Sequence, residues 1–264
     1  MTDEIEASFK GAISGFLSRS EEANTPALCK DLLEKLHKAH GMEACEYFVK
    51  QVVEGSEVGE QVHLITAYAV LLTDNELVDH AMDWADAFIT AVNNDYWVGA
   101  TQSFYTQVVV ATHTRDYELT IKCLAQARKT AWMIRDEIER LHAFIDLYGF
   151  ARSLAVPQEN EDYLVANDIQ RQALARKEYH IVAHYCLALG ALHESTELFK
   201  RGLDAAQLVT NPQFKARIEG YIEELVAEGH EKLLKLLIRN ATSPKLRTLA
   251  QRELDAQKNK KELN

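Results

Sequence analysis

Three pairs of the form Glu-x-x-His carry the clearest potential for chemistry in this sequence. They are Glu34 with His37, Glu60 with His63, and Glu139 with His142. On a helix, residues three apart share a face, and two such pairs with two more carboxylates form the di-iron or di-manganese site of a four-helix bundle. However, 26 glutamates and 10 histidines placed at random in 264 residues would give about one such pair. A metal site on these residues is therefore an alternative hypothesis.

A second spacing, His180 and His184 in HIVAH, places two imidazoles on one helix face. The segment lacks the glutamate of the zincin motif H-E-x-x-H, and the sequence offers no evident third ligand. It also contains no GxxxxGK[ST], GxGxxG or GxSxG, so neither a phosphate-binding loop nor a hydrolase nucleophile is indicated. We therefore predict a protein that is not an enzyme and needs no cofactor.

Helices must position these residues, because apolar residues recur at helical spacing along nearly the whole chain. They fall at i, i+3, i+4 and i+7 in segments of about 13–19 residues, and no segment alternates as a strand would. Pro and Gly are scarce, with 4 and 11 residues, which also favours helix. We predict an all-α protein of about 13 to 14 helices, near 3–18, 26–40, 42–54, 57–72, 75–93, 95–112, 116–132, 135–154, 161–177, 178–193, 195–209, 212–228, 230–240 and 244–258.

Capping residues and prolines mark several helix starts. Three dipeptides combine a capping side chain with proline at the first helical position, where its missing N–H costs nothing: Thr25-Pro26, Asn211-Pro212 and Ser243-Pro244. Thr73-x-x-Glu76 predicts a capping box that opens another helix. Connections such as LTDNE, THTRD and LHEST are short, so neighbouring helices are expected to fold back antiparallel.

An eleven-residue pattern occurs three times, at residues 75–85, 117–127 and 196–206. Each copy has Glu-Leu near its start, where the glutamate would complement the positive end of a helix dipole. A small residue follows the leucine four positions later (Ala81, Cys123 or Gly202) and would let the preceding helix approach closely. The copies start 42 and 79 residues apart, and a weaker copy lies between them at 161–173. A period of ~35–42 residues predicts a helical repeat.

The segment around residue 195 adds a second pattern. Leu189-Gly190 lies in a first helix, a tight turn and small residues in a second helix follow, and Asn211-Pro212 ends the unit. This arrangement resembles a tetratricopeptide repeat (TPR), and the resemblance covers about residues 57–241. It implies a right-handed α-solenoid of antiparallel helix pairs, TPR-like or of a related type, whose concave surface binds protein segments. The resemblance assigns no individual ligand-binding residue.

The repeats divide the chain into three predicted parts. Residues 1–56 would form acidic N-terminal helices in the place of a degenerate first repeat, and residues 57–241 the solenoid. Residues 242–264 would form a C-terminal capping helix followed by a frayed tail.

The formal net charge of −11 is unevenly distributed. Residues 1–100 contain 18 acidic and 6 basic side chains, whereas residues 201–264 contain 9 and 12. An acidic surface repels phosphate backbones and anionic lipid, so we predict neither nucleic acid nor membrane as a partner, but a protein or peptide of basic character. The uncharged segment 96–114 is too polar to cross a bilayer and is predicted to be a helix covered on most sides.

Compartment is indicated by the cysteines and the N-terminus. The four cysteines, Cys29, Cys45, Cys123 and Cys186, lie far apart without a CxxC and are predicted to be reduced core or half-core thiols. The N-terminal MTDEIEASF has no signal-peptide pattern. We therefore predict a cytoplasmic protein.

The function predicted from these features is binding: a scaffold, adaptor or chaperone-like module that holds a protein or peptide segment in a solenoid groove. If the first helix of each pair lines the groove, the candidate residues are Gln102, Tyr105, Gln107, His142, Asp146 and His184. Glutamine side chains there could hydrogen-bond an extended peptide backbone. Two alternatives stay open. One is a helical-bundle metalloprotein using the Glu-x-x-His pairs, and the other is a homo-oligomerisation unit whose uncharged central helix is buried between copies.

Overall fold

The computed structural model describes residues 13–16, 26–54, 62–91, 96–153, 159–228 and 230–262. These ranges contain helices and no strand, which confirms the predicted all-α class. Residues 13–16 are helical, and the rest of the predicted helix 3–18 lies outside the described residues. The longer helices in the described ranges are α1 (Pro26–His40), α2 (Met42–Glu54), α3 (Val62–Asp74), α4 (Val78–Ala91), α5 (Tyr96–His113), α6 (Tyr117–Met133), α7 (Glu137–Ser153), α8 (Glu159–Ala175), α9 (Tyr179–Leu192), α10 (Thr196–Gln207), α11 (Pro212–Glu228), α12 (Glu231–Asn240) and α13 (Pro244–Glu262).

The chain divides into two compact units, Met1–Arg135 and Asp136–Asn264. The first unit contains α1 to α6 and the second contains α7 to α13. This division falls inside the segment 57–241 that the sequence predicts to be one repeat region. The boundaries at 56 and 241 stay predictions.

In each unit, several helices pack both against a neighbour in the chain and against the next helix but one. In the first unit, α3 packs against α1 and α5 as well as against α4. In the second unit, α9 packs against α7 and α11, and α11 packs against α13. In the second unit, α10 also packs against both α9 and α12. Alternate helices therefore lie side by side along α1, α3 and α5 in the first unit and along α7, α9, α11 and α13 in the second.

Two glycines set the spacing of α9 and α10. A Cβ atom on Gly190 would lie 2.7 Å from the backbone nitrogen of Phe199, and one on Gly202 would lie 2.7 Å from Cγ of Leu187. Packed side chains do not approach this closely, so these contacts require glycine. Because the earlier glycine meets the start of α10 and the later one meets the middle of α9, the two helices run antiparallel. The predicted close approach at Gly202 is confirmed.

Three turns between helices share one backbone conformation. They follow α3, α8 and α9, and each contains one non-glycine residue with positive φ: Glu76 (65°), Lys177 (60°) and Glu194 (49°). In each turn the N–H of the following residue donates to the carbonyl five positions earlier, at 2.8 to 2.9 Å. This pattern is the Schellman motif, which satisfies the last carbonyls of one helix and lets the next helix start at once.

The predicted capping box at Thr73 and Glu76 is wrong. Thr73 lies inside α3, where its hydroxyl donates to the carbonyl of Ala69 at 2.8 Å. Glu76 occupies the positive-φ position of the turn, and α4 begins only at Val78. Both motifs place polar residues between two hydrophobic helices, so the sequence alone did not separate them. The matching glutamates of the other two copies do lie in the first turns of α6 and α10.

The helix starts predicted from proline are confirmed. α1, α11 and α13 begin at Pro26, Pro212 and Pro244. At α11, the side-chain oxygen of Asn211 accepts a hydrogen bond from the N–H of Gln213 at 2.9 Å, as a capping residue should. The capping side chain and the proline therefore act together to fix this start.

The uncharged helix α5 is covered by other helices of its own unit. It packs against α3, α4 and α6, and several of its residues, including Ser103, Phe104 and Thr106, are at most 1% exposed. The prediction that this segment is a covered helix is confirmed. No helix in the described ranges is both long enough and apolar enough to span a membrane.

All four cysteines are buried and free, which confirms their prediction as core thiols. Burial raises the pKa of the thiols of Cys45 and Cys123 to about 11. Since the thiolate is the reactive form, these side chains act as small apolar packing groups at neutral pH.

Candidate functional site

A concave pocket lies in the second unit, where α7, α9 and α11 are adjacent. Its volume is about 270 Å³. It is lined by His142, Ile145, Asp146, Ala188, Ala191, Leu192, Tyr221, Leu225 and His230. The middle helix, α9, contributes two alanines and, at its last residue, Leu192, whereas α7 and α11 contribute longer side chains. The short side chains of the two alanines help to make this surface concave.

The helical period explains why these residues share one surface. On α7, Ile145 lies three residues after His142, and Asp146 lies four residues after it. On α11, Tyr221 and Leu225 are also four apart. Positions three and four apart lie on the same face of a helix. Because α7 and α11 both pack against α9, their faces meet around it.

Two histidines contact each other beside the pocket. Nε2 of His142 lies 3.1 Å from Nδ1 of His184, and one of the two nitrogens must donate while the other accepts. The ring centroid of Tyr221 lies 4.4 Å from that of His142 and 5.2 Å from that of His184. His184 is only 2% exposed, and its Nε2 has no hydrogen-bond partner among the described residues.

Both histidines are neutral at neutral pH. Burial lowers the pKa of His142 to about 4, with a further contribution from the positive charge of Arg217. Burial also lowers the pKa of His184 to about 3, and His142 and Arg217 lower it further. The charge of Asp136 acts in the opposite direction on both rings but is the smallest influence. Two neutral imidazoles can share a donor–acceptor bond, whereas two imidazolium ions would repel each other.

Arg217 links α11 to the start of α7. Its guanidinium donates to both carboxylate oxygens of Asp136, at 2.8 and 3.1 Å, and to Glu139 at 2.8 Å. Asp136 also caps α7 by accepting from the N–H groups of Ile138 and Glu139, at 2.9 and 3.0 Å. Burial alone would raise the pKa of Asp136, but the bonds from Arg217 and from the backbone lower it. This carboxylate is thus ionised in the folded protein at neutral pH.

The same surface continues with an aromatic stack. The ring of His180 lies flat on that of Phe214, with centroids 3.9 Å apart and planes 1° apart. His180 and His184 of HIVAH therefore do occupy one face of α9. They contact different side chains of α7 and α11, and among the residues that the structure describes no third ligand lies beside them.

Three of the predicted groove residues lie in this region. His142 and Asp146 line the pocket. His184 does not line the pocket, because its ring is buried and contacts the ring of His142. Sequence reasoning missed Tyr221, Leu225 and His230, because nothing in the sequence places α11 beside α7.

The other three predicted groove residues lie on α5 in the first unit. Tyr105 is 38% exposed. Gln102 is half-buried, and its side-chain oxygen has no hydrogen-bond partner among the described residues. Gln107 is fully buried, and its amide donates to Asp86 at 2.6 Å and to Ser103 at 3.0 Å. The prediction of Gln107 as a groove residue is therefore corrected: it belongs to a polar contact in the core.

The Glu-x-x-His residues make other contacts. Glu34 is exposed and pairs with Lys30 at 3.7 Å, and Glu139 pairs with Arg217. His37 is half-buried and His63 is exposed, while Glu60 lies outside the described residues. Within the described ranges, no three side chains of His, Cys, Asp or Glu are grouped so that they could hold a metal ion.

No protein-family model matches this sequence, and neither a curated protein nor a solved structure is significantly similar to it. What the structure defines is an all-α protein whose second unit carries a pocket on three adjacent helices. Its function must therefore be inferred from this geometry.

Proposed function

We propose that this protein is a non-enzymatic interaction module, a scaffold, adaptor or chaperone-like protein that holds a partner segment on the surface of α7, α9 and α11. The observation that carries the proposal is the pocket itself, to which three alternate helices contribute. Its lining combines apolar side chains with the polar side chains of His142, Asp146, Tyr221 and His230, and concave surfaces of mixed character of this kind can recognise a partner.

The wider architecture in this proposal is a right-handed α-solenoid of antiparallel pairs, TPR-like or of a related type. Two observations support it. The alternate helices α1, α3 and α5 pack side by side, as do α7, α9, α11 and α13, which is the contact expected for the first helices of stacked pairs. The α9–α10 pair is also tightly packed at Gly190, the glycine on which the resemblance to a tetratricopeptide repeat depends.

The pocket has a volume of about 270 Å³, which is large enough for one bulky side chain. Interfaces commonly depend on a few such anchors that fill well-packed pockets. We therefore propose a partner that inserts one large apolar or aromatic residue between α7 and α11.

Charge favours a basic residue next to that anchor. Asp146 is exposed, and the residues that line the pocket include no other Asp, Glu, Lys or Arg. His142 is held neutral by burial, which lowers its pKa to about 4. An aspartate in the lining favours Lys or Arg in the partner segment, and positive segments would associate faster at low salt.

Selection from a random peptide library tests this proposal. Full-length protein is used for selection, and the affinity of each enriched peptide is measured by fluorescence anisotropy. Enriched sequences should share a large apolar residue with Lys or Arg nearby. Ala188→Leu places three more carbons in the pocket and should weaken binding at least tenfold. Ala175→Leu makes the same change at an exposed position at the end of α8 and should leave affinity unchanged.

Two outcomes would contradict the proposal. One is that no peptide is enriched above a blank surface. The other is that Ala188→Leu, shown by circular dichroism to be folded, binds as tightly as Ala175→Leu. Asp146→Lys separates charge from shape, since it should disfavour basic peptides and spare neutral ones.

The main reason for the oligomerisation hypothesis no longer applies. The hypothesis was suggested by the uncharged segment 96–114, whose apolar side chains were expected to be buried against another copy of the chain. Phe104, Val110 and Ala111 of this segment are buried within one chain by other helices of the first unit. Light scattering across a range of concentrations tests the remaining possibility directly.

A further inference from the structure

The contact between His142 and His184 leaves one ring nitrogen of each histidine unused. His142 lines the pocket and is half-buried, whereas His184 is only 2% exposed. The contact joins Nε2 of His142 to Nδ1 of His184, at 3.1 Å. The other nitrogen of His184, Nε2, is buried and has no hydrogen-bond partner among the described residues. A hydrogen bond from the ring of His142 to a group in the pocket must therefore use Nδ1.

Two placements of the protons fit this contact, because a neutral imidazole carries one N–H and one bare nitrogen. In the first placement, Nε2 of His142 donates to Nδ1 of His184. The proton of His184 then lies on its buried Nε2, and Nδ1 of His142 is an acceptor. In the second placement, Nδ1 of His184 donates to Nε2 of His142. The buried Nε2 of His184 then carries no proton, and Nδ1 of His142 is an N–H donor.

The burial of Nε2 of His184 favours the second placement. The first would leave an N–H group in the interior without an acceptor. Buried N–H groups without a partner are rarer in proteins than buried acceptors without a donor, and such a group loses its hydration without compensation. The second placement uses the N–H of His184 in the bond to His142 and leaves only a bare nitrogen unpaired. It gives both rings the Nδ1–H form.

We propose that His142 is a specificity-determining hydrogen-bond donor of the pocket, and that its Nδ1–H binds a carbonyl oxygen of the partner segment next to the anchor residue. This inference rests on the proposed function of the pocket. His184 is then a positioning residue, because it contacts His142 rather than the partner and holds the proton of His142 on Nδ1. A peptide carries a backbone carbonyl beside every side chain, so one segment supplies both the anchor and the acceptor.

The proton placement is tested by nuclear magnetic resonance of the full-length protein without a ligand. A long-range proton–nitrogen correlation spectrum of the histidine rings distinguishes the Nδ1–H form from the Nε2–H form. At neutral pH both His142 and His184 should show the Nδ1–H form. His184→Asn keeps a side-chain N–H at the position of Nδ1 and should leave His142 in this form. His184→Leu removes the donor, so His142 should change to the Nε2–H form that free histidine prefers.

Two probes test the recognition of a carbonyl group. N-acetyltryptophanamide carries an indole ring with two carbonyl groups, whereas skatole carries the indole ring alone. Affinities are measured by titration with the same resonance method. His142→Phe removes the N–H and keeps an aromatic ring, so it should weaken binding of N-acetyltryptophanamide about three- to tenfold, the size of one neutral hydrogen bond. Binding of skatole should stay unchanged. The matched control is His113→Gln, which changes an exposed histidine of α5 and should affect neither probe.

The outcomes separate this inference from the proposed function. If the library selection enriches no peptide, the proposed function fails and this inference fails with it. If peptides are enriched, three results would overturn this inference alone. They are an Nε2–H form of His142 in the unchanged protein, an Nδ1–H form that survives His184→Leu, and the absence of a selective loss of N-acetyltryptophanamide in folded His142→Phe.

Discussion

His142 of α7 and His184 of α9 face each other with Nε2 and Nδ1 only 3.1 Å apart, and the ring of Tyr221 covers both. The pair joins two adjacent helices of the second unit through uncharged rings. Its bond exists only while at least one ring stays neutral, because an imidazolium pair has two donors and no acceptor. This makes the packing of α7 on α9 sensitive to acid.

Acid is expected to destabilise the second unit in a defined pH window. The ordinary pKa of histidine is about 6.5, and burial lowers it to about 4 for His142 and about 3 for His184. Between these values the unfolded chain binds more protons than the folded one, so stability falls as pH falls through this window and is fully present above it. From pH 7 to pH 4.5 the free energy of unfolding should drop by about 2 kcal/mol if one ring is protonated on unfolding and by about 5 kcal/mol if both are, measured by urea denaturation.

The variant His142→Gln provides the control for this pH effect. It should make stability less dependent on pH between 6.5 and 4, because one of the two depressed groups is gone. His113→Gln changes an exposed histidine of α5 and should leave the dependence as it is. An unchanged pH dependence in His142→Gln would show that the pair is not the sensitive element.

Gly190→Ala is expected to destabilise the α9–α10 hairpin. The new Cβ would lie 2.7 Å from the backbone nitrogen of Phe199, so the helices must separate. Overpacking of this kind typically costs about 1–3 kcal/mol, which thermal denaturation measures. Gly220→Ala is the matched control, since a Cβ there has nothing within 4 Å. It should stabilise α11 by about 0.5–1 kcal/mol, and a loss in both variants would contradict the steric explanation.

Tyr105 and Gln102 offer a separate test of a binding surface in the first unit. Tyr105 is 38% exposed, so replacing both residues by alanine should weaken capture of a partner that binds the first unit and leave helicity and melting nearly unchanged. Gln107→Ala should do the opposite. It removes the amide that donates to Asp86 and Ser103 and should lower stability by about 1–3 kcal/mol. Equal loss of fold in both proteins would assign Tyr105 and Gln102 to the core.

Arg217 and Asp136 should show measurable coupling. The guanidinium holds both oxygens of Asp136, and this geometry is stronger than a single contact. Because both groups are partly exposed, a double-mutant cycle of Arg217→Met and Asp136→Asn should give about 0.5–1 kcal/mol. Asparagine keeps the capping oxygen of α7, so the cycle isolates the charge. The pKa of Asp136 is lowered from the ordinary aspartate value of 3.8. The coupling should therefore persist above pH 4 and fade as the pH falls below 3.8.

Metal analysis addresses the Glu-x-x-His hypothesis. Glu139 is engaged by Arg217 and His142 by His184, so purified protein should lack stoichiometric iron, manganese or zinc. Chelation by EDTA should leave the melting temperature unchanged. Metal near one equivalent per chain would restore the metalloprotein hypothesis, and residues outside the described ranges, such as Glu60, would then be the first to examine.

The sequence by itself determined the helices and many of their ends. Hydrophobic spacing of 3.6 residues is a local property, so it predicted the all-α class, and proline at a first helical position marked Pro26, Pro212 and Pro244 correctly. It failed at Thr73, where a capping box and a Schellman turn look alike in one dimension. The difference between them is a single positive φ, which composition does not encode.

Only the tertiary structure decided which side chains meet. His142 and His184 are 42 residues apart and Arg217 lies 78 residues from Glu139, yet each pair is in direct contact. Gln107 and Tyr105 are two residues apart on one helix, yet one is buried and the other exposed, because neighbouring helices cover only part of α5. A helical pattern gives each residue a face but not the helix that covers it. That choice arises from packing between distant segments, which determined both the pocket on α7, α9 and α11 and the histidine pair beside it.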